Sequence, residues 1–218
     1  MLRAFVLAAA LLTLSGTAQA AVITFDTDPF LGSTALGLPG RQVVGGEPFI
    51  AFNIGSDVFA FEEAAFSPYS LGDQILFVND VAANLPASGV NVVVLQSLDN
   101  DGNPATPFNA GTAANLIAAQ ITDPGAGFFM YFNQGLDLPR LVFSTDLSDP
   151  IADLKILARM TNLAGNPAAL ATFTAQNFVI TQVPEPGSLA LLTLAGAVGG
   201  GVRSVRRRRS ADRSAAGE

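Results

Sequence analysis

Five oxygen-bearing side chains crowd one short segment, "LDNDGNPATPFNAG": Asp99, Asn100, Asp101, Asn103 and Asn109. Alternating carboxylates and amides in a turn can wrap Ca²⁺, because a hard cation takes about six to eight oxygens and carboxylates dominate its affinity. Asp99, Asp101 and Asn103 are therefore the metal candidates. The spacing is not that of an EF-hand, since Gly102 takes the fourth place of the loop instead of the sixth and no Glu occupies the twelfth. The same residues also read as a plain reversal, Asp101-Gly102 following "VVVLQSL", which needs no metal. Glu62 and Glu63 offer two carboxylates, and glycoside hydrolysis needs a pair ~5–10 Å apart across a cleft. Neighbours on a strand point to opposite faces, which makes them a poor pair and reads instead as surface charge. Lys155 is the only lysine. A Ser-Lys nucleophile would require it desolvated, whereas its position predicts an exposed amine or one paired with Asp153 or Asp146. The chain has no cysteine and no histidine, which excludes disulfides, Cys/His zinc sites, thiol nucleophiles and Ser-His-Asp catalysis. No catalytic residue is assigned, and the chain is expected not to be an enzyme.

The elements that would hold these residues follow from period and punctuation. Short β-branched and aromatic runs recur between Gly, Pro, Asn and Asp: "AVITF", "EPFIAFNI", "DVFAFE", "QILFV", "VNVVVLQS", "GFFMYFN", "RLVFSTD", "ADLKILARM" and "ATFTAQNFVITQ". They predict an all-β fold, an antiparallel β-sandwich of jelly-roll or immunoglobulin-like type, over residues 21–183. In "ADLKILARM" the apolar Ala152, Leu154, Ile156, Ala158 and Met160 alternate with Asp153, Lys155 and Arg159, giving one buried and one wet face, although a helix also fits. Leu141 and Phe143, across the Ser148-Asp149-Pro150 turn, supply the matching inward pair of a hairpin. "GFFMYF" is apolar on both faces and reads as a central strand covered on both sides, or as a sugar-stacking platform. The last run changes phase after Ala175, which predicts a bulge near Gln176 and Asn177. One short helix is expected over residues 112–121, with Thr112 as N-cap and Asp123-Pro124-Gly125 as its stop. The Gly-rich "FLGSTALGLPGRQVVGGEPF" reads as an irregular entry loop or edge strand.

Residues 21–183 carry fifteen carboxylates against four cations, Arg41, Arg140, Lys155 and Arg159, a balance of −11 compared with −7 for the whole chain. Such a surface repels nucleic acid and anionic lipid, so no nucleic-acid partner is expected.

The two ends are different in kind. "MLRAFVLAAALLTLSGTAQA" has one cation, an apolar run and a small-residue ending at Ala18 and Ala20, the pattern of a signal peptide cleaved after residue 20. At the other end, residues 187–202 carry no charge and precede Arg203, Arg206, Arg207, Arg208 and Arg209. Sixteen helical residues reach roughly 24 Å, short of a hydrocarbon core of about 30 Å, a gap that bilayer thinning and snorkelling close. A C-terminal transmembrane helix is expected there. The arginines fix its topology, with the body outside the cytoplasm.

The order Pro184-Glu185-Pro186, apolar helix, arginine cluster, over residues 183–209, resembles the PEP-CTERM sorting signal of Gram-negative bacteria. The resemblance implies recognition by an exosortase, a membrane-embedded cysteine protease-like enzyme that cuts near the Pro-Glu-Pro motif and passes the protein onward. The two prolines hold Glu185 in an extended, accessible segment. The expected organisation is a signal peptide (1–20), the exported β-sandwich (21–183), the sorting signal (184–209) and a polar tail (210–218). Signal peptidase and exosortase are the expected processing partners, the membrane is engaged through the C-terminal helix, and exopolysaccharide is a further candidate partner. The precursor is expected in the inner membrane with its body in the periplasm, and the product at the cell surface or outside the cell. Three readings of the body follow: a structural component of the envelope or biofilm matrix, a Ca²⁺-assisted carbohydrate-binding module, and a carboxylate-only glycosidase.

Overall fold

The computed structural model describes residues 20–103 and 105–182. The expected signal peptide up to residue 19, the Pro-Glu-Pro motif, the expected membrane helix and the arginine cluster lie outside the described residues. Among the described residues no helix is long and apolar enough to cross a membrane. In chain order the strands are β1 (Val22–Phe25), β2 (Val43–Val44), β3 (Phe49–Ile50), β4 (Val58–Glu62), β5 (Phe77–Asp80), β6 (Val92–Leu95), β7 (Gly127–Asn133), β8 (Leu138–Ser144), β9 (Leu154–Met160) and β10 (Phe178–Thr181). Two α-helices join them, α1 (Glu63–Phe66) and α2 (Ala110–Ala118), together with short 3-10 turns.

The expected antiparallel β-sandwich is corrected. The fold is mixed α/β, with a parallel three-stranded sheet in the order β1-β4-β10 and a mixed seven-stranded sheet in the order β2-β9-β8-β7-β6-β5, β3 pairing with β9 beside β2. Only β7–β8 and β8–β9 are antiparallel, and they are the strands joined by short turns. The longer connections carry the chain back to start the next strand in the same direction, as parallel pairing requires. Val92, Val93, Val94 and Leu95 of β6 are all fully buried, the unbroken apolar pattern of a parallel strand covered on both faces.

The seven-stranded sheet is the middle layer. On one face Phe128, Met130, Leu141 and Phe143 meet Phe59 and Phe61 of β4 and Phe178 of β10 in a phenylalanine-rich core. Phe61 stacks on Phe128 with centroids 3.7 Å apart, and Phe66 stands edge-on to Phe128 and Phe143 at 5.1 Å. On the other face Val93, Phe129, Tyr131, Val142 and Ile156 meet Ala110, Ala113, Ala114 and Ile117 of α2. The run read as a central strand is therefore β7, buried at all seven positions.

Local details differ from expectation for identifiable reasons. The cap of α2 is Asn109, not Thr112: its side chain accepts from the Gly111 and Thr112 amides while the Thr112 hydroxyl accepts from the Asn109 amide, a reciprocal capping box. The phase change before β10 is a 3-10 turn, Ala175–Asn177, capped by Thr174, not a bulge. The bulge lies instead in the β8–β9 pairing, where Leu141 faces Ala158 and Val142 faces Ile156, leaving Leu157 unpaired. As a result Leu154 and Ile156 face α2, whereas Ala158 and Met160 turn to the phenylalanine core.

Candidate functional site

The Gly-rich entry segment runs along the outer edge of β9 in two pieces, β2 against Leu154 and Lys155 and β3 against Arg159 and Met160. Between them residues 45–48 leave the sheet, opposite the bulged Leu157. Gly46 adopts φ +90°, a conformation that L side chains rarely take, and this directs Glu47 inward. The Glu47 side chain is fully buried. Its Oε1 accepts from Arg140 Nη2 and, at 2.5 Å, from Arg159 Nε. The Arg159 guanidinium also lies 4.9 Å from the Phe49 ring centroid, a cation–π contact. Arg140 reaches on to the Tyr131 hydroxyl, which also accepts from Asn133 Nδ2 at 2.9 Å. Burial pushes the Glu47 carboxyl up, but backbone N–H donation and the two guanidiniums outweigh it and hold the group below its ordinary range. Burial drives the Tyr131 phenol the other way, upward, against the opposing pull of Asn133 and Arg140.

The other two cations are also committed. Arg41 donates to the carbonyls of Gly111, Pro150 and Ala152, tying the entry segment to α2 and to the turn before β9. Lys155 donates to the Gly45 carbonyl at 2.6 Å, and neither Asp153 nor Asp146 forms an ion pair with it. Among the described residues both ion pairs fall on Glu47, and every other carboxylate is without one.

A second buried carboxylate sits where β4 begins. Asp57 is 5% exposed. Its Oδ1 accepts from the Ala21 amide at 2.9 Å and the Ser56 hydroxyl at 3.0 Å, and its Oδ2 from the Asn53 amide at 2.8 Å. The Ala21 amide is the leading cause of its carboxyl lying below the ordinary range, with burial opposing. Asp57 is thus covered by its neighbours near the surface, and its hydrogen bonds outweigh its desolvation.

The metal candidates lie in an exposed turn. Asp99 Oδ1 accepts from the Asp101 and Gly102 amides, Asp101 Oδ1 from Asn103, and Asn103 Oδ1 from Ala105. These bonds, first that from Asp101, lower the Asp99 carboxyl. Asn109, the fifth oxygen of the segment, is occupied as the α2 cap. Among the described residues no group of three His, Cys, Asp or Glu side chains is gathered as a metal cage would require. Glu62 ends β4 and Glu63 begins α1.

Two further grooves mark the surface. One, of about 490 Å³, runs between Phe52 and Thr172 past Asn53, Asn162 and Asn166. The Asn162 amide is used on the Phe52 backbone, accepting from its N–H and donating to its carbonyl. The other, about 380 Å³, lies between β1 and residues 46–48 and 155–157. Its Asp28 accepts from the Tyr69 hydroxyl at 2.7 Å, and burial, followed by Asp28, pushes that phenol up.

Sequence reasoning missed the grouping of Glu47 with Arg140 and Arg159, and the role of Asp57. The scarcity of cations in an acidic body was the available signal for the first: Arg140 lies on β8, Lys155 and Arg159 lie on β9, and a glutamate after Gly-Gly is placed to meet them. Of the sorting and topology residues, Ala20 is described and exposed, and Ala18, Pro184, Glu185, Pro186, Arg203 and Arg206 to Arg209 lie outside the described residues. No curated protein and no solved structure matches the chain. The last described strand is β10, and residues 182–209 match the PEP-CTERM protein-sorting motif, which marks the chain as an exported protein sorted by exosortase.

Proposed function

We propose that the body is a non-catalytic structural component of the cell envelope or extracellular matrix, delivered by exosortase from a membrane-anchored precursor. The observation that carries this reading is the distribution of charge. Arg140 and Arg159 are consumed by Glu47, Arg41 by three carbonyls and Lys155 by a fourth, so the acidic body has no uncommitted cation among the described residues. A shell of this kind resists nucleic acid and anionic lipid and stays hydrated, which suits a matrix component in contact with neutral or cation-bridged glycans.

Deletion of the exosortase in producing cells tests the delivery. The uncut precursor should accumulate in the membrane, and the exterior should lose the body. An unchanged product size and location would overturn the reading. Purified protein should neither hydrolyse exopolysaccharide nor gain thermal stability from Ca²⁺. Hydrolysis abolished by one Asp or Glu replacement would make it a glycosidase. A Ca²⁺-dependent rise in Tm that disappears in Asp99→Ala plus Asp101→Ala would make it a Ca²⁺-assisted carbohydrate-binding module.

A further inference from the structure

We propose that Asp57 is the receptor for the α-ammonium that signal-peptide removal creates at Ala21, so that maturation installs an ion pair at the start of β1 and clamps that strand onto β4. The proposal rests on the reading of the chain as an exported protein cut after Ala20. Three observations meet at this carboxylate. The nitrogen that cleavage would free is already in contact with it, Ala21 N lying 2.9 Å from Asp57 Oδ1. That nitrogen is held in place independently, because the Ala21 carbonyl accepts from Val58 N at 2.9 Å and Val22 pairs with Val58 in the β1–β4 register. And Asp57 is a covered carboxylate without a cation: its donors are two backbone amides and one hydroxyl, and both ion pairs among the described residues belong to Glu47. Its three neutral donors keep the carboxylate ionised but supply no counter-charge, so the negative charge is open to a cation placed on the same oxygen.

Cleavage supplies the missing charge. Hydrolysis breaks the Ala20–Ala21 C–N bond, water's oxygen goes to the Ala20 carbonyl carbon, and at neutral pH the products are an Ala20 carboxylate and an Ala21 ammonium. One N–H aimed at Asp57 becomes an NH₃⁺ with three protons and a full charge, converting a neutral hydrogen bond into a charge-assisted one. Ala20 and Ala21 are both exposed, and β1 is paired on β4 with the Ala20–Ala21 bond intact. The precursor and the mature chain therefore differ at this point in charge and not in fit. Among the described residues no other titratable group faces the pair. β1, the turn over residues 53–57, the turn Ala175–Asn177 and β10 hold none besides Asp57, and Glu62 is at the far end of β4.

The pH dependence follows with a definite sign. An α-ammonium held by a carboxylate has its folded pKa raised above the ordinary range of about 7.7–8.0. Its contribution is complete below that range and is lost as pH rises through the folded pKa. Asp57, whose pKa is depressed, contributes above the ordinary carboxylate range and loses its contribution as pH falls through its folded value.

The test uses the chain from Ala21 to Glu218 in detergent, in one form with a free Ala21 amine and in another retaining Gln19 and Ala20. NMR titration of the labelled Ala21 amine should give a pKa at least one unit above the ordinary value, a tenfold change in the ionisation constant. Asp57→Asn should restore the ordinary value. The free form should melt above the extended form at pH 6 to 7, the gap should close as pH rises past 10, and Asp57→Asn should abolish it. If Asp57→Asn fails to fold, the wild-type titration and the pH dependence of the gap still decide. An ordinary amine pKa, or equal melting of the two forms across this range, overturns the role of Asp57. Mass analysis of the exported protein separates this from failure of the export reading: a mature N-terminus other than Ala21 removes the cut on which the proposal rests.

Discussion

At the scale of single residues, Glu47 is the side chain that holds two cations in place. It neutralises two guanidiniums of which Arg140 is 12% exposed and Arg159 25%. Glu47→Ala leaves both charges facing each other across the Arg140–Arg159 pair of the β8–β9 ladder. Breaking a buried pair costs about 3–5 kcal/mol. The lower end, about 3 kcal/mol, applies because Arg159 keeps solvent contact and the Phe49 ring. Chemical denaturation of the variant against wild type checks the value, with an unchanged m-value marking a loss of stability and not of structure. Glu47 also carries a pH signature. Its folded carboxyl is depressed, so its contribution is present above the unfolded carboxylate pKa of about 4.3 and disappears as pH falls through the lower folded value. The acid limb of the stability profile should therefore flatten in Glu47→Gln, measured by denaturant midpoints between pH 5 and pH 2.

At the scale of elements, the sheet core tolerates no added bulk where β7 enters it. A Cβ on Gly127 would lie 2.6 Å from the Asn91 carbonyl oxygen and 2.5 Å from Leu147 Cδ1. Backbone on the Asn91 side cannot step aside without disturbing β6, so Gly127→Ala should cost about 1–3 kcal/mol, read from the denaturation midpoint. On the same side of the sheet, where Leu147 packs with α2, Asn109→Ala removes the side-chain acceptor for two amides of α2 and should cost about 1 kcal/mol. These elements explain what a reader of the sequence can and cannot recover. β7 was legible because every side chain of "GFFMYF" is apolar, and the β8–β9 hairpin because Ser148-Asp149-Pro150 punctuates it. Strand direction was not legible. Alternation reports which face is buried and says nothing of polarity, and parallel return through residues 81–91 and 96–126 occurs with only one substantial helix, α2, to signal a crossover. The alternation read in β9 holds residue by residue, with Leu154, Ile156, Ala158 and Met160 buried and Lys155 and Arg159 partly exposed, but the irregularity inside the strand was not legible. The bulge at Leu157 exchanges the two faces within the strand, and two-residue periodicity cannot register an extra residue. Asp57 was invisible because its partner is a backbone nitrogen 36 positions away.

At the scale of the whole molecule, unbalanced charge governs behaviour. Residues 21–183 hold fifteen carboxylates, and only Glu47 is ion-paired among the described residues. The rest repel one another more in the compact state than in the unfolded chain, where they are farther apart. Screening should relieve this, since the Debye length contracts from about 30 Å at 0.01 M salt to about 8 Å at 0.15 M. NaCl should therefore raise Tm by a few degrees over that interval, measured by calorimetry at pH 7. The contacts of Glu47 are shielded from salt by burial and should oppose the rise little. A fall in Tm over the same interval would mean that favourable ion pairs outweigh self-repulsion and would contradict the assignment of every cation to an internal partner. The same imbalance connects with the sorting signal at the C-terminus. Arginines gathered at positions 203 and 206–209 are separated from an acidic body by an uncharged segment over 187–202, so the two poles of the chain carry opposite charge. Release of the body near residues 184–186 would separate those poles. The product should then migrate as a strongly acidic species, with an isoelectric point below the 4.4 of the entire chain. Isoelectric focusing of the exported form against the precursor measures that shift, and equal isoelectric points would place the cut elsewhere or deny it.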